Sequence, residues 1–233
     1  MDRPLIKIVP SLFCADYRQL KKEVERLKAG GADMLHIDIM DGHFVENFAM
    51  SQVEVSALKP ETSIPFDVHL AIENPGRHID HFAEAGADSI SIHVESCYHL
   101  LYEVQRIKAH DIKAAVAINP TTPLSTIQHI LTEVDMVLVM MVNPGYRKQS
   151  YFPECLGKIR ELRKTISQKG LNIDIQVDGG VYEDTIALMA RAGANVFVAG
   201  GAIFDSGRPI EEAIPHLRSL AQVAYTEREG GKL

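Results

Sequence analysis

Eight short apolar runs, each separated from the next by an amphipathic stretch, constrain the fold of this chain more than any other feature. They are rich in β-branched residues and cover residues 7–11, 34–40, 65–71, 88–94, 113–118, 136–142, 172–178 and 195–201. Most are apolar almost throughout rather than alternating with polar residues, which is typical of parallel strands covered on both faces. The pattern therefore predicts eight buried parallel β-strands.

The stretches between these runs predict helices. Residues 17–31 carry Leu20, Val24 and Leu27 at helical spacing and end at glycine, and residues 153–170 begin with proline and end with glycine. Helices are also predicted at 77–88, 98–111, 123–135, 182–195 and 208–227, whereas residues 48–60 give the weakest helical pattern. Small residues recur at three helix-to-strand junctions, 29–33, 85–88 and 192–195, and indicate tight turns of a repeated βα architecture rather than a functional motif.

Eight βα units within 233 residues predict a single-domain (β/α)8 TIM barrel over residues 1–225, followed by a polar tail at 226–233. A doubly wound open sheet is the alternative, but it usually has fewer strands, and no GxGxxG loop follows the first strand here. In a barrel the C-terminal ends of all strands meet on one face, so the residues at those ends are candidates for a common site.

The overall composition excludes several classes of function. The formal net charge is −7 at pH 7, which argues against sequence-independent nucleic-acid binding because that requires a basic face. The N-terminus lacks the apolar core of a signal peptide, and no apolar stretch is long enough to span a bilayer. Three widely spaced cysteines do not form a disulfide pattern. These features predict a cytoplasmic protein with reduced thiols that binds neither nucleic acid nor membranes.

Four residues at strand ends have the chemistry of a metal site. His36 and Asp38 lie in the second apolar run, His69 in the third and Asp178 in the seventh. Alternate residues of a strand share a face, so His36 and Asp38 can point together. A single histidine would be read as a hydrogen-bonded core residue, but carboxylates in apolar strands need a partner or a metal. Imidazole and carboxylate ligands suit one divalent ion, namely Zn²⁺, Fe²⁺, Mn²⁺ or Co²⁺, and His93 is expected to line the pocket or support a ligand.

Three glycine-bearing loops, 143–149, 178–180 and 199–204, follow the last three predicted strands. Glycine allows backbone N–H groups to approach an anion closely, and TIM barrels commonly bind phosphate after strands seven and eight. One such loop would indicate only a turn with positive φ, but three on one face predict a phosphate pocket. Arg147 and Lys148 add two cations to the first loop, where they either contact the phosphate or are solvated.

The segments PSLFCADY, HIDIMDGHFV, DVHL followed by ENP, VNPG, QVDGG and AGGAIF occur in this order, and together they resemble the ribulose-phosphate 3-epimerase family over almost the whole chain. The resemblance implies a homo-oligomeric TIM-barrel isomerase of pentose phosphate metabolism, with one divalent metal and a phosphorylated ketose substrate. It implies that the metal ligands are His36, Asp38, His69 and Asp178, and that Asp38 and Asp178 are the paired acid–base catalysts. Substrate contacts are expected from Ser11, Met40, His69, Met140, Gly145, Arg147, Lys148, Gly179, Gly180, Gly200 and Gly201.

The implied reaction is the interconversion of D-ribulose 5-phosphate and D-xylulose 5-phosphate by proton transfer through a cis-enediolate. One aspartate removes the C3 proton and the other delivers a proton to the opposite face. Three departures from the family pattern bear on the substrate: HFVENFAMS after the second strand, Ala71 in place of a methionine, and NPGYRKQ in place of NPGFGGQ.

These departures leave alternatives for the function. One is a 3-epimerase for another ketose phosphate such as D-allulose 6-phosphate, and another is a sugar-phosphate binding protein without turnover. A phosphosugar decarboxylase or aldolase on the same barrel is disfavoured, because no lysine lies in the second or seventh predicted strand.

Overall fold

The computed structural model describes residues 5–230, and eight parallel strands form the centre of this part of the chain. They are β1 Lys7–Pro10, β2 Leu35–Met40, β3 Phe66–Ala71, β4 Ser89–His93, β5 Lys113–Ile118, β6 Met136–Met140, β7 Asp174–Asp178 and β8 Val196–Ala199. Their order is β1-β8-β7-β6-β5-β4-β3-β2, and a parallel bridge between Ser11 and His36 links the two edge strands. The predicted single-domain (β/α)8 TIM barrel is confirmed.

Helices surround the barrel between most strands. They are α1 Leu20–Ala29, α2 Gln52–Leu58, α3 Ile79–Glu84, α4 Leu100–Lys108, α5 Cys155–Gln168, α6 Ile186–Ala192, α7 Gly201–Phe204 and α8 Ile210–Gly230. The weakest predicted helix forms α2, because Ser51 and Glu54 make a capping box at its N-terminus. Helix α8 continues to Gly230, so residues 226–230 of the predicted tail are helical and 231–233 lie outside the described residues. No helix of the described chain is long and apolar enough to cross a membrane.

The helix predicted at 123–135 is wrong. This segment forms a 3₁₀ turn, Leu124–Thr126, followed by further turns whose backbone bonds join residues three apart. Ile127, Ile130 and Val134 are nevertheless buried. The apolar spacing was therefore informative about burial, but Ser, Thr, Ile, Val and His in this segment give little intrinsic support to an α-helix.

The recurring helix-to-strand junctions have a structural role that the spacing did not indicate. At every second junction an Asp or Asn side chain accepts a hydrogen bond from a backbone N–H at the start of the preceding strand. The four bonds are Ile8 N to Asp33 (2.7 Å), Phe66 N to Asp88 (2.7 Å), Ala114 N to Asp135 (2.9 Å) and Ile175 N to Asn195 (2.9 Å). The repeat thus satisfies backbone donors at the N-terminal end of the barrel.

Asn195 is fully buried, so its replacement gives the clearest test of this structural role. Its Oδ1 accepts from Ile175 N and from Arg163 Nη2 at 2.8 Å, and its Nδ2 donates to Asp174 at 2.7 Å. Asn195→Ala leaves several buried polar groups without this partner, so we expect urea denaturation to show a loss of about 2–4 kcal/mol in the free energy of unfolding. The control is Asn172→Ala, at an exposed position, which should change it by less than about 0.5 kcal/mol. Equal effects of the two substitutions would contradict the structural role.

Candidate metal centre and substrate pocket

The four predicted metal ligands converge at the C-terminal end of the barrel. Ligand atoms of His36, Asp38, His69 and Asp178 all lie within 4.8 Å of one another, and all but Asp178 are fully buried. The strand register explains part of this, because Asp38 and His69 are directly paired across β2 and β3. The cluster can hold a metal ion, as the nitrogen and oxygen ligand set predicts.

His36 presents a free nitrogen to this cluster. Its Nδ1–H donates to Asp67 Oδ2 at 2.8 Å, and Gln176 Nε2 donates to the same oxygen at 2.6 Å. Its Nε2 lies 3.3 Å from Asp38 Oδ1, is buried and has no hydrogen-bond partner among residues 5–230. A buried imidazole nitrogen beside a carboxylate, with the other ring nitrogen fixed by a second carboxylate, is the usual arrangement of a metal-binding histidine. The residues present therefore fit a divalent ion.

Sequence reasoning missed Asp67 and Gln176, although the signal was available. Asp67 precedes His69 by two residues in β3, and Gln176 precedes Asp178 by two in β7, so each shares the inward face with a predicted ligand. Both are fully buried polar residues within apolar strands. The same alternation that paired His36 with Asp38 would have placed them below the site.

The two aspartates have opposed pKa shifts. Burial acts to raise the pKa of Asp38, but the adjacent imidazoles of His36 and His69 outweigh it and hold this pKa well below its usual value. Burial and the negative charge of Asp38 raise the pKa of Asp178 to about 7. One carboxyl group is thus ionised near neutral pH while the other retains a proton, which is the division that a general base and a general acid require.

His69 connects the cluster to a second buried histidine. His69 Nδ1 lies 3.0 Å from Asp38 Oδ1, and its Nε2 lies 2.9 Å from His93 Nε2. His93 Nδ1 lies 3.1 Å from Glu95 Oε2. Burial lowers the pKa of His93 to about 4 against the effect of Glu95, whereas hydrogen bonds from His93, Thr122 and a backbone N–H outweigh burial and lower the pKa of Glu95 to about 2. The sequence located His93 near the site but did not identify Glu95.

A pocket opens above the cluster and is lined by every residue predicted to contact substrate. These are Ser11, Met40, His69, Met140, Gly145, Arg147, Lys148, Gly179, Gly180, Gly200 and Gly201. Ser11 Oγ donates to Asp38 Oδ2 at 2.8 Å. Gly179 has φ 98°, and a Cβ there would collide with Val142, so this position requires glycine.

The loop after β6 carries the charged residues Arg147 and Lys148, and one of them has a backbone conformation that is typical of glycine. Lys148 has φ 61°, a left-handed conformation that costs a non-glycine residue roughly 1–2 kcal/mol. Arg147 Nη2 lies 2.7 Å from Asp205 Oδ2, and both residues line the pocket. Asp205, just beyond α7, was not identified from the sequence because only the fold brings it to Arg147.

Comparison with known proteins decides the family. The sequence profile of the ribulose-phosphate 3 epimerase family matches residues 7–204. The chain belongs to this family. It is 45% identical over 201 residues to the ribulose-phosphate 3-epimerase of Bacillus subtilis (strain 168), covering 86% of this chain and 93% of the relative. It is 39% identical over 220 residues to that of Escherichia coli (strain K12), covering 94% and 97%. The predicted family and enzyme class, a carbohydrate epimerase, are confirmed.

Solved structures with low sequence identity share the fold. KGPDC from Streptococcus mutans has a TM-score of 0.72 at 13% identity, covering 95% of this chain and 99% of that one. The 3-hexulose-6-phosphate synthase of Salmonella typhimurium has a TM-score of 0.67 at 16% identity, covering 94% and 100%. At these identities the likeness concerns the barrel alone.

The raised pKa of Asp178 predicts a pH dependence of metal binding. Below pH 7 protonation of this carboxyl group opposes metal binding, so affinity should weaken as the pH falls. Chelator competition with Zn²⁺ between pH 5 and 7 measures the slope of log Kd against pH. We expect Asp178→Asn to bind more weakly and to reduce that slope by about one proton. Asp184→Asn, at an exposed position, should keep the slope of the unmodified protein, and identical slopes in all three proteins would contradict the prediction.

Proposed function

We propose that this protein is a metal-dependent 3-epimerase of a ketose phosphate, interconverting D-ribulose 5-phosphate and D-xylulose 5-phosphate or a related pair. The observation that carries the proposal is the pair of carboxyl groups with opposed pKa shifts, set within a His/Asp cluster at the floor of the pocket. The homo-oligomeric state and the cytoplasmic location, which rest on the resemblance and the composition, remain predictions.

The two aspartates exchange protons with C3 of the substrate. In one direction ionised Asp38 takes the C3 proton, the C–H electron pair forms a C2–C3 double bond, and negative charge moves to the C2 oxygen. As the C2 carbonyl re-forms, the double-bond electrons take the proton of Asp178 at the opposite face of C3, and the roles reverse for the return reaction. A hydrogen bond from the Ser11 hydroxyl orients Asp38 for this transfer. A divalent ion held by His36, Asp38, His69 and Asp178 supplies Lewis-acid stabilisation of the developing oxyanion.

The pocket walls near the reacting carbon are apolar. Met40 and Met140 line the pocket beside the aspartates and offer polarisable surfaces to a planar enediolate. Ala71 is buried next to Met40, and Phe13 packs against the apolar cluster that these two residues form with Val45. Because the side chain of Ala71 is small, it leaves more room in this part of the pocket than a methionine would. We propose that this room contributes to the choice of ketose.

We propose that Arg147 binds the substrate phosphate at the other end of the pocket. In the structure its guanidinium group is paired with Asp205, and the side chain is about one-third exposed. A phosphate offers a guanidinium group two oxygens and a larger charge than a carboxylate does. Bound phosphate would thus replace Asp205 as the partner of Arg147.

Substrate and reaction can be tested together with the metal-loaded protein in D₂O. The panel contains D-ribulose 5-phosphate, D-allulose 6-phosphate and a four-carbon ketose phosphate, and NMR measures deuterium incorporation at C3. Fastest exchange with ribulose 5-phosphate supports the family activity, and fastest exchange with another member supports a shifted specificity. Tight binding without exchange would support a binding protein and overturn the proposal.

Replacement of either aspartate should abolish this exchange. Asp38→Asn and Asp178→Asn keep nearly the same shape but cannot accept or store the proton, so we expect kcat to fall by at least about 1,000-fold. Asp184→Asn is the matched control, and circular dichroism checks that each variant folds. Full activity in either site variant would refute the two-aspartate mechanism.

Opposite effects are expected at the two ends of the Arg147–Asp205 pair. Arg147→Gly removes charge-assisted hydrogen bonds, so KM for the ketose phosphate should rise about 10- to 100-fold with a smaller change in kcat. Asp205→Asn removes the competitor and should lower KM. Arg208→Gly is the control, because Arg208 lies in the neighbouring cavity and pairs with Glu183 at 3.3 Å. An unchanged KM in Arg147→Gly would mean that Arg147 is not a phosphate ligand.

A further inference from the structure

A hydrogen-bonded chain of two imidazoles joins the metal cluster to a carboxylate just after β4. It runs from Asp38 through His69 and His93 to Glu95, with contacts of 3.0, 2.9 and 3.1 Å. His69 and His93 are fully buried, and their rings lie 5.0 Å apart between centroids. Phe44 covers His93 at a centroid distance of 4.7 Å, and both imidazoles are shielded from water.

The hydrogen-bonded chain from Asp38 to Glu95 has one contact more than its two neutral imidazoles have protons. Each of the three contacts needs one proton, because ionised carboxylates only accept and two ring nitrogens in contact share one hydrogen. Two neutral imidazoles supply two protons, so the third contact, between Asp38 Oδ1 and His69 Nδ1, is left without one. A divalent ion held by Asp38 and His69 would take the place of the missing proton.

Glu95 determines the direction in which the two protons are placed. Its Oε2 accepts from His93 Nδ1–H, which leaves His93 Nε2 as an acceptor for His69 Nε2–H. His69 Nδ1 then carries a lone pair and faces the cluster. With both protons moved the other way, the His93 Nδ1 lone pair would face the carboxylate of Glu95 and repel it.

The surroundings of Glu95 fix its role as an acceptor. Its Oε1 accepts from the backbone N–H of Asn119 at 2.8 Å and from the hydroxyl of Thr122. Both residues lie in the loop after β5, remote from the predicted metal ligands in sequence. This loop therefore holds Glu95 in place through donors alone.

We propose that Glu95 is a positioning residue that, acting through His93, holds His69 in the tautomer that offers Nδ1 to a metal ion. The inference rests on the metal-binding role proposed for the cluster, but not on the identity of the substrate. His36 shows the shorter form of the same device, because Asp67 accepts directly from its Nδ1–H and leaves Nε2 for the metal. The two histidines thus present opposite ring nitrogens, each selected by a carboxylate outside the predicted ligand set.

Metal affinity and imidazole tautomers test this role without substrate. Chelator competition with Zn²⁺ should give a Kd about 10- to 100-fold weaker in Glu95→Gln than in the unmodified protein, because an amide can turn its NH₂ group toward His93 and favour the other tautomer. Glu73→Gln makes the same charge change at an exposed position on the same end of the barrel and should leave the Kd unchanged. Thr122→Val removes one donor to Glu95 and should weaken binding by a smaller factor.

Nitrogen-15 NMR of the Zn²⁺-loaded protein supplies a readout that a merely structural role would not change. We expect protons on His69 Nε2 and His93 Nδ1 in the unmodified protein, and loss or mixing of this pattern in Glu95→Gln. A proton on His93 Nε2 in the unmodified protein, equal Zn²⁺ affinity in Glu95→Gln and Glu73→Gln, or no Zn²⁺ binding at the cluster would each overturn the proposal. Because these measurements need no turnover, failure of the epimerase assay alone leaves them interpretable and separates the two hypotheses.

Discussion

The carboxylate of Asp38 is the interaction point on which the organisation of this barrel end depends. It is buried, it contacts Ser11, His36 and His69, and its negative charge raises the pKa of Asp178. A lone carboxylate in such a place would carry a large desolvation penalty, so its neighbours must be donors, cations or a metal ion. Parallel strands closed into a barrel bring these neighbours from β1, β2, β3 and β7 without any long side chain.

The two ends of the barrel use polar residues for different purposes. At the N-terminal end, the repeated Asp or Asn side chains accept hydrogen bonds from strand N–H groups. At the C-terminal end, the inward-facing His36 keeps a ring nitrogen without a hydrogen-bond partner among the described residues. Stability and chemistry are thus separated along the strands, which is a general property of TIM barrels.

Much of this arrangement was predictable because strand ends in a barrel must converge. That rule located His36, Asp38, His69 and Asp178 without coordinates, and the barrel itself followed from eight apolar runs. The rule failed at 123–135, where apolar spacing indicated burial but not helical backbone. The convergence of strand ends also does not predict contacts between separate loops.

Contacts between loops could not be predicted because they join residues that are far apart in the sequence. Arg147 and Asp205 are 58 residues apart, and the loop that supports Glu95 follows a different strand from Glu95 itself. Local patterns carry no information on such distances, because they depend on how far each loop folds back over the barrel. The Arg147–Asp205 pair and the network around Glu95 are therefore the parts of the site that required the structure.

The loop after β6 places the cation of Arg147 in the pocket together with a counter-ion. Lys148 adopts a left-handed backbone conformation that glycine would adopt at lower cost. The guanidinium group of Arg147 is paired with Asp205, and the charge of this carboxylate balances it. Without that counter-ion, an unpaired cation at the pocket would stabilise ionised Asp178 and reduce the difference in pKa between the two carboxyl groups. The Arg147–Asp205 pair therefore limits the effect of this cation on the two carboxyl groups of the metal cluster.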